Sequence, residues 1–241
     1  LAVWDGHPGD GPSGTEAQIR VWQAAGFDVD VVDLTAITRS TGLLRPGGEG
    51  HPVPAPETAD PPDFQQRVMA MLFADAVGYS QLNEEQIPIF VREFLGSVAH
   101  LLDRSPHKPV MKNTWGDAVF FVFEGIENAG ALALDLRDRI RGTDWVAHGL
   151  PERMNLRIAL HAGPVYGFTD PVTAHPNFSG THVSMAARIE PITPPGEVYC
   201  SEPFAVLAAT RGVTAFACDH VGRTPLAKKY GIFPTYHLRR T

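Results

Sequence analysis

From Phe64 onward the apolar residues of this chain change period in a fixed order, and that order restricts the fold more than any single residue does. Residues 67–75 form one apolar run of strand length. Ile87, Phe90, Val91, Phe94, Leu95, Val98, Leu101 and Leu102 then recur with the helical period, which predicts a helix over about 88–103. Runs 110–115 and 118–123 flank Gly116-Asp117, a tight-turn pair, and read as a hairpin. Ala129, Leu132, Ala133, Leu136 and Ile140 mark a second helix, while Met154, Leu156, Ile158 and Leu160 alternate as a strand. Strand–helix–strand–strand–helix–strand is the split βαβ, ferredoxin-like (βαββαβ) arrangement of an α+β domain. Helices over 180–190 and 203–209 and strands over 197–200, 215–218 and 235–238 complete the pattern.

Upstream the organisation differs. Residues 1–39 read as a partial Rossmann-like α/β segment: a strand at 1–4, a glycine-rich loop at 5–14, a helix at 16–25 and a strand at 27–34. Thr15 is the N-cap of that helix and Gly26 its stop. A glycine-rich loop entering a helix can cradle a phosphate. The spacing departs from the dinucleotide fingerprint, and so short a segment cannot bury a core alone. A phosphate site and the remnant of a truncated domain both stay open. Residues 40–63 carry Pro46, Gly47, Gly48, Gly50, Pro52, Pro54, Pro56, Pro61 and Pro62, too many fixed or free backbones for regular structure, and form a linker. Residues 64–241 make the main domain.

Composition excludes some functions. A net charge of −7 and a pI near 5.8 disfavour a nucleic-acid surface, because the field repels phosphate backbones. No apolar run approaches the roughly 18 residues of a membrane span. Cys200 and Cys218 lie in apolar strand-like surroundings, as buried reduced thiols of a cytoplasmic protein do. No signal peptide is visible, and the start at Leu1 without a methionine reads as a fragment.

Two carboxylates stand out by their cost. Asp75 ends the run Met69-Ala-Met-Leu-Phe-Ala-Asp75, and Asp117 follows Gly116 between two apolar runs. A carboxylate ending a buried strand is unfavourable unless something positive satisfies it. Hard oxygen ligands on adjacent strands are what Mg²⁺ carrying a phosphate substrate needs. Each residue also has a plainer reading, Asp117 as a hairpin-turn residue and Asp75 as a cap of the next segment. His161 reads as a general base or as a satisfied structural histidine. Trp115 reads as core or as the lining of a base pocket, and Phe120, Phe121 and Phe123 as a buried strand.

Five ordered stretches together identify a family. Phe73-Ala-Asp75-Ala-Val-Gly78-Tyr, Trp115-Gly-Asp117-Ala, Leu156-Arg-Ile-Ala-Leu-His161-Ala-Gly163-Pro-Val, Gly180-Thr-His-Val-Ser-Met-Ala-Ala-Arg188-Ile-Glu and Pro195-Gly-Glu-Val-Tyr-Cys-Ser201 follow one another as in class III nucleotidyl cyclases. The chain resembles that family over about residues 66–240. The resemblance implies a class III cyclase catalytic domain that turns a nucleoside triphosphate into its 3′,5′-cyclic monophosphate and pyrophosphate. It implies two Mg²⁺ or Mn²⁺ ions per site, held by Asp75, Asp117 and the backbone carbonyl of Ala76. Arg188 matches the arginine that stabilises charge in the transition state; a surface salt bridge to Glu190 is its plainer reading. In the family the aspartates and the arginine of one site come from different subunits, so a chain holding all of them implies a homodimer with two interfacial sites.

Three positions depart from the family pattern. The base-reading positions are Asn113 and Asn177, and amides can donate and accept, so residue type alone does not name the base. The ribose-orienting asparagine is replaced by Ser184, whose hydroxyl reaches less far. The phosphate lysine aligns with Tyr230 unless the register moves one residue to Lys229. The expected substrate is ATP, the commonest in the family. GTP, a pyrimidine triphosphate of anti-phage signalling, and a degenerate nucleotide-binding regulatory domain are the alternatives.

Overall fold

A computed structural model describes residues 64–241 together with Ala2–Trp4, Arg20, residues 23–24 and Val31–Asp33. The chain divides into two compact units, Leu1–Ala59 and Asp60–Thr241. In the first, β1 (Ala2–Trp4) pairs in parallel with β2 (Val31–Asp33), and Arg20, Gln23 and Ala24 between them are helical. The glycine-rich loop at 5–14 and the linker at 40–63 lie outside the described residues.

The second unit is built on a sheet of β3 (Gln65–Val77), β4 (Met111–Trp115), β5 (Ala118–Phe123), β6 (Asn155–Thr169), β7 (Pro176–Ser179), β8 (Val198–Ser201), β9 (Phe216–Leu226) and β10 (Gly231–Arg240). The order is β4-β5-β3-β6-β8-β10-β9, with β7 paired to β6. Along β4, β5, β3 and β6 each neighbouring pair is antiparallel, as the ferredoxin-like expectation requires. β6 and β8 run parallel, joined through α4 (Thr181–Ile189). The helices α1 (Gln86–Ile89), α2 (Gly96–Arg104), α3 (Ile126–Arg141) and α5 (Glu202–Thr210) supply the rest. A π-helical turn, Phe90–Leu95, lies between α1 and α2.

Side chains of a strand alternate between faces, and β3 shows what each face meets. Ala70, Leu72, Ala74 and Ala76 enter a large core with Phe90, Phe94, Leu132 and Leu136 of the helical layer. Met69, Met71 and Phe73 enter a smaller core closed by Ala186 and Ile189 of α4. Phe121 and Phe123 join the first core and Phe120 the second, so β5 is apolar throughout because both its faces are covered. Asp75 is the next member of the Met71-Phe73 series and falls on the face that carries α4.

Several strands run longer than their sequence pattern suggests. β6 continues through Gly163 and Pro164 to Thr169, where β3 and β7 pair with it, as in Val68↔Pro164 and Tyr166↔Ser179. A proline there ends the apolar alternation but only forgoes one donor. β7 starts at Pro176 and was not expected for the same reason. β9 and β10 extend across polar residues such as Asp219, His220 and Arg223, since their ladder is partly open to solvent.

Candidate active site

Trp115, Ala118, Asp75 and Arg157 form one cross-strand row over β4, β5, β3 and β6, and Asn113, Phe120, Phe73 and Ala159 form the row beside it. Both rows face the α4 side. The β4–β5 connection is the two residues Gly116 and Asp117. Gly116 takes φ +67°, a left-handed position that strains any residue with a Cβ, and this tight turn sets Asp117 over the end of β3. The Ala76 N–H donates to the Asp117 carbonyl at 3.3 Å and ties the turn to the strand. Asp117 is thus a turn residue and a neighbour of Asp75 at once.

The electrostatics follow from this proximity. Burial, then the adjacent Asp75 carboxylate, push the Asp117 pKa above its ordinary value. Arg157 Nη2 donates to Asp75 Oδ2 at 2.9 Å. On its other side Arg157 Nε lies 3.0 Å from Glu190 Oε1, too misaligned for a hydrogen bond, so both buried atoms lack a hydrogen-bond partner. Burial, then Asp75, with Arg157 opposing, push Glu190 up to about 7. One arginine therefore serves three crowded carboxylates, a local excess of negative charge that favours a further cation. Among the described residues no cluster of three His, Cys, Asp or Glu is arranged to hold a metal. A divalent ion on Asp75 and Asp117 would take its other ligands from backbone carbonyls and phosphate oxygens, an all-oxygen set that fits Mg²⁺ or Mn²⁺.

The remaining expected residues separate into two groups. Asn113 and Asn177 line one cavity of about 560 Å³, together with Lys112, Trp115, Asp170 and His175. Trp115 is 52% exposed and rests against Phe73 and Phe120, which corrects its reading as core. Arg188 and Ser184 stand one turn apart on α4, with Ser184 exposed. The Arg188 guanidinium lies 6.0 Å from the centroid of the Tyr230 ring. It forms no salt bridge to Glu190, whose cation is Arg157. Its Nε has no hydrogen-bond partner among the described residues. Lys229 ends a short turn, Ala227–Lys229, and its side chain lies outside the described structure.

Sequence reasoning missed Arg157 and Glu190. A signal for Arg157 existed: a charged residue inside a central strand must have a buried partner. His161 proves structural. It is fully buried, with Nδ1 2.6 Å from Ser201 Oγ and Nε2 2.8 Å from His182 Nδ1. Gly163 makes room for this contact, since a Cβ there would lie 2.2 Å from His182 Nδ1. Cys200 is buried and Cys218 half-buried, both unbridged, with their sulfurs 3.8 Å apart.

Burial, then His182, lower the His161 pKa from 6.5 to about 3. Between those values the unfolded state binds a proton that the folded state refuses, so stability falls as pH drops below 6.5, by up to about 1.4 kcal/mol per unit. Urea unfolding at pH 7, 6 and 5 should show this decline, and His161→Gln should flatten it. Equal pH slopes in the two proteins would refute the assignment.

No helix among the described residues is long and apolar enough to cross a membrane. The family model for the adenylate and guanylate cyclase catalytic domain matches residues 64–239. Guanylate cyclase 2G of Mus musculus is 25% identical over 183 residues, 71% of this chain, and the Rattus norvegicus protein of the same name is 26% identical. The chain spans 16% of the length of these curated relatives. Among solved structures, the adenylyl cyclase CyaB from P. aeruginosa superposes with a TM-score of 0.63 at 16% identity, covering 74% of this chain and 97% of that one. The guanylate cyclase domain of RhGC from Catenaria anguillulae in complex with GTP gives 0.61 at 20% identity, covering 73% and 98%. With the fold, the motif order and the family match in agreement, the chain belongs to the adenylate and guanylate cyclase catalytic domain family.

Proposed function

We propose that residues 64–241 form a nucleotidyl cyclase that converts a nucleoside triphosphate to the 3′,5′-cyclic monophosphate and pyrophosphate, at two sites shared between the subunits of a homodimer. The observation that carries this reading is the Asp75–Asp117 pair, crowded together on the α4 side of the sheet with Arg157 as its cation. In the reaction the ribose 3′-oxygen attacks the α-phosphorus, the bond to the β-phosphate oxygen breaks, and the hydroxyl proton is lost to solvent. Divalent cations, which cyclases of this class generally use, would when bound supply charge neutralisation of the triphosphate and a lower pKa for the attacking hydroxyl. Asp75, Asp117 and the Ala76 carbonyl are the groups that would hold them, two per site. Arg157, anchored by Asp75 and Glu190, presents its remaining N–H groups to phosphate oxygens.

Arg188 has no carboxylate partner within its own chain among the described residues, which leaves its guanidinium for the α-phosphoryl group of the neighbouring subunit's site. Ser184, on the same face of α4, orients the ribose through its hydroxyl, and Lys229 meets the distal phosphates. Asn113, Asn177 and Trp115 enclose the base.

Incubating the protein separately with ATP, GTP, CTP and UTP plus Mn²⁺, with chromatographic detection of cyclic monophosphates, tests this directly. A cyclic product from at least one triphosphate is expected. None from any of the four would refute the reading.

A further inference from the structure

Two thiols meet on the face of the sheet turned away from Asp75. Cys200 of β8 opposes Tyr236 of β10, Cys218 of β9 opposes Leu238 of β10, and all four belong to the core beneath the helical layer. The sulfurs approach to 3.8 Å over the backbone of β10, with the Cys200 S–H donating to Cys218. That hydrogen bond holds the Cys218 thiol below its usual range and, with burial, pushes Cys200 up, so Cys218 is the sulfur that ionises first.

A disulfide does not suit this placement. β10 lies between β8 and β9, so two strand spacings, about 9–10 Å, part the backbones that carry the cysteines. A disulfide needs its Cα atoms within about 7 Å. A single atom bonded to both sulfurs does fit, since bonds of about 2.3 Å at a tetrahedral angle span roughly 3.8 Å. A tetrahedral metal ion would need two further ligands, and among the described residues no third His, Cys, Asp or Glu joins the pair to hold one. Trivalent arsenic carrying one organic group needs only the two sulfurs.

The surroundings suit that organic group. Cys218 and Tyr236 line a cavity of about 760 Å³ whose wall includes Ala205, Ala208, Val213 and Phe216. An aryl group buries apolar surface there, and an arsenic dithiolate has no net charge, so neither part brings an ion among apolar walls. Cys200 itself is fully buried, which makes the cavity beside Cys218 the way in.

We propose that Cys200 and Cys218 form a two-thiol binding site for a trivalent organoarsenical, entered from this cavity on the face opposite Asp75. An arsenic(III) oxide reacts there by losing its oxygen. Two arsenic–sulfur bonds form, the bonding of arsenic to oxygen breaks, and the two thiol protons leave with the oxygen as water. No atom is oxidised or reduced.

Phenylarsine oxide is the probe, added to the native protein in the presence of excess glutathione. Mass spectrometry should find one phenylarsenic per chain, and thiol titration should find both cysteines lost together. Excess dithiothreitol, a competing dithiol, should release the arsenic and return both thiols. Two-point attachment should hold the arsenical about 10²-fold or more tighter than Cys218→Ala or Cys200→Ala holds it, since each variant offers one sulfur. Circular dichroism checks that the proteins are folded, and Cys218→Ala, which alters the half-buried partner, keeps the comparison if Cys200→Ala unfolds. Equal retention by the native protein and Cys218→Ala would overturn the proposal, as would arsenic that glutathione strips from the native protein. Labelling that begins only in urea would overturn it too, and so would a Cys200–Cys218 disulfide formed in the native protein by diamide, because the backbones would then lie closer than the site requires.

Discussion

Asp75→Ala is expected to lower cyclase turnover by about 10²- to 10³-fold or more, the scale on which loss of a focused charge contact at a reacting phosphate is felt, while the fold survives. Survival follows from the cost of the broken contact. Asp75 and Arg157 are both partly exposed, so their ion pair contributes no more than about 1 kcal/mol to stability, and Arg157 keeps Glu190 beside it. The same change should move the Asp117 pKa down, because the Asp75 carboxylate is one of the groups holding it up. Steady-state kinetics with Mn²⁺ measures the first effect and a carboxylate NMR titration the second. Wild-type turnover in a folded Asp75→Ala protein would end the assignment of this carboxylate to the metal site. An Asp117 pKa that stays in place would show that the two side chains act independently in solution.

How much of this was legible beforehand depends on which contacts are local. The six-element core could be read because each element carries its own period, β3 as an apolar run and α3 as a helical stripe. The Gly116-Asp117 turn announced itself through glycine. The pairing of Asp75 with Asp117 was readable because a short hairpin leaves Asp117 few places to go. Arg157 and Glu190 are different. Their link to Asp75 joins residues far apart in sequence, and the local pattern at Arg157 calls for a buried partner without naming it. The amides at 113 and 177 show the same limit. Their type is ambivalent, and only the backbone N–H groups of Thr114 and Phe178, with Asp170 across the β6–β7 turn, orient them. β7, opened by a proline and half-buried at best, carried no periodic signal at all.

Mixing two dead proteins should restore activity. Within one chain the cation of Asp75 is Arg157, while Arg188 points to Tyr230 and neutralises neither aspartate. A site that needs Asp75, Asp117 and Arg188 together must therefore borrow the arginine, and in a closed two-fold dimer each subunit lends to the other. Asp75→Ala and Arg188→Ala homodimers then lack a working site for opposite reasons. After equimolar mixing and exchange, half the dimers are mixed, and each of these holds one site with both aspartates and the arginine intact. Specific activity should rise from near zero to about a quarter of wild type, as random pairing into two-site dimers dictates. It should also fall on dilution as dimers separate. A mixture that remains inactive, although exchange is verified by differently tagged subunits, would mean that every site draws on a single chain. Arg188 would then have to leave Tyr230 and reach its own Asp75 during turnover.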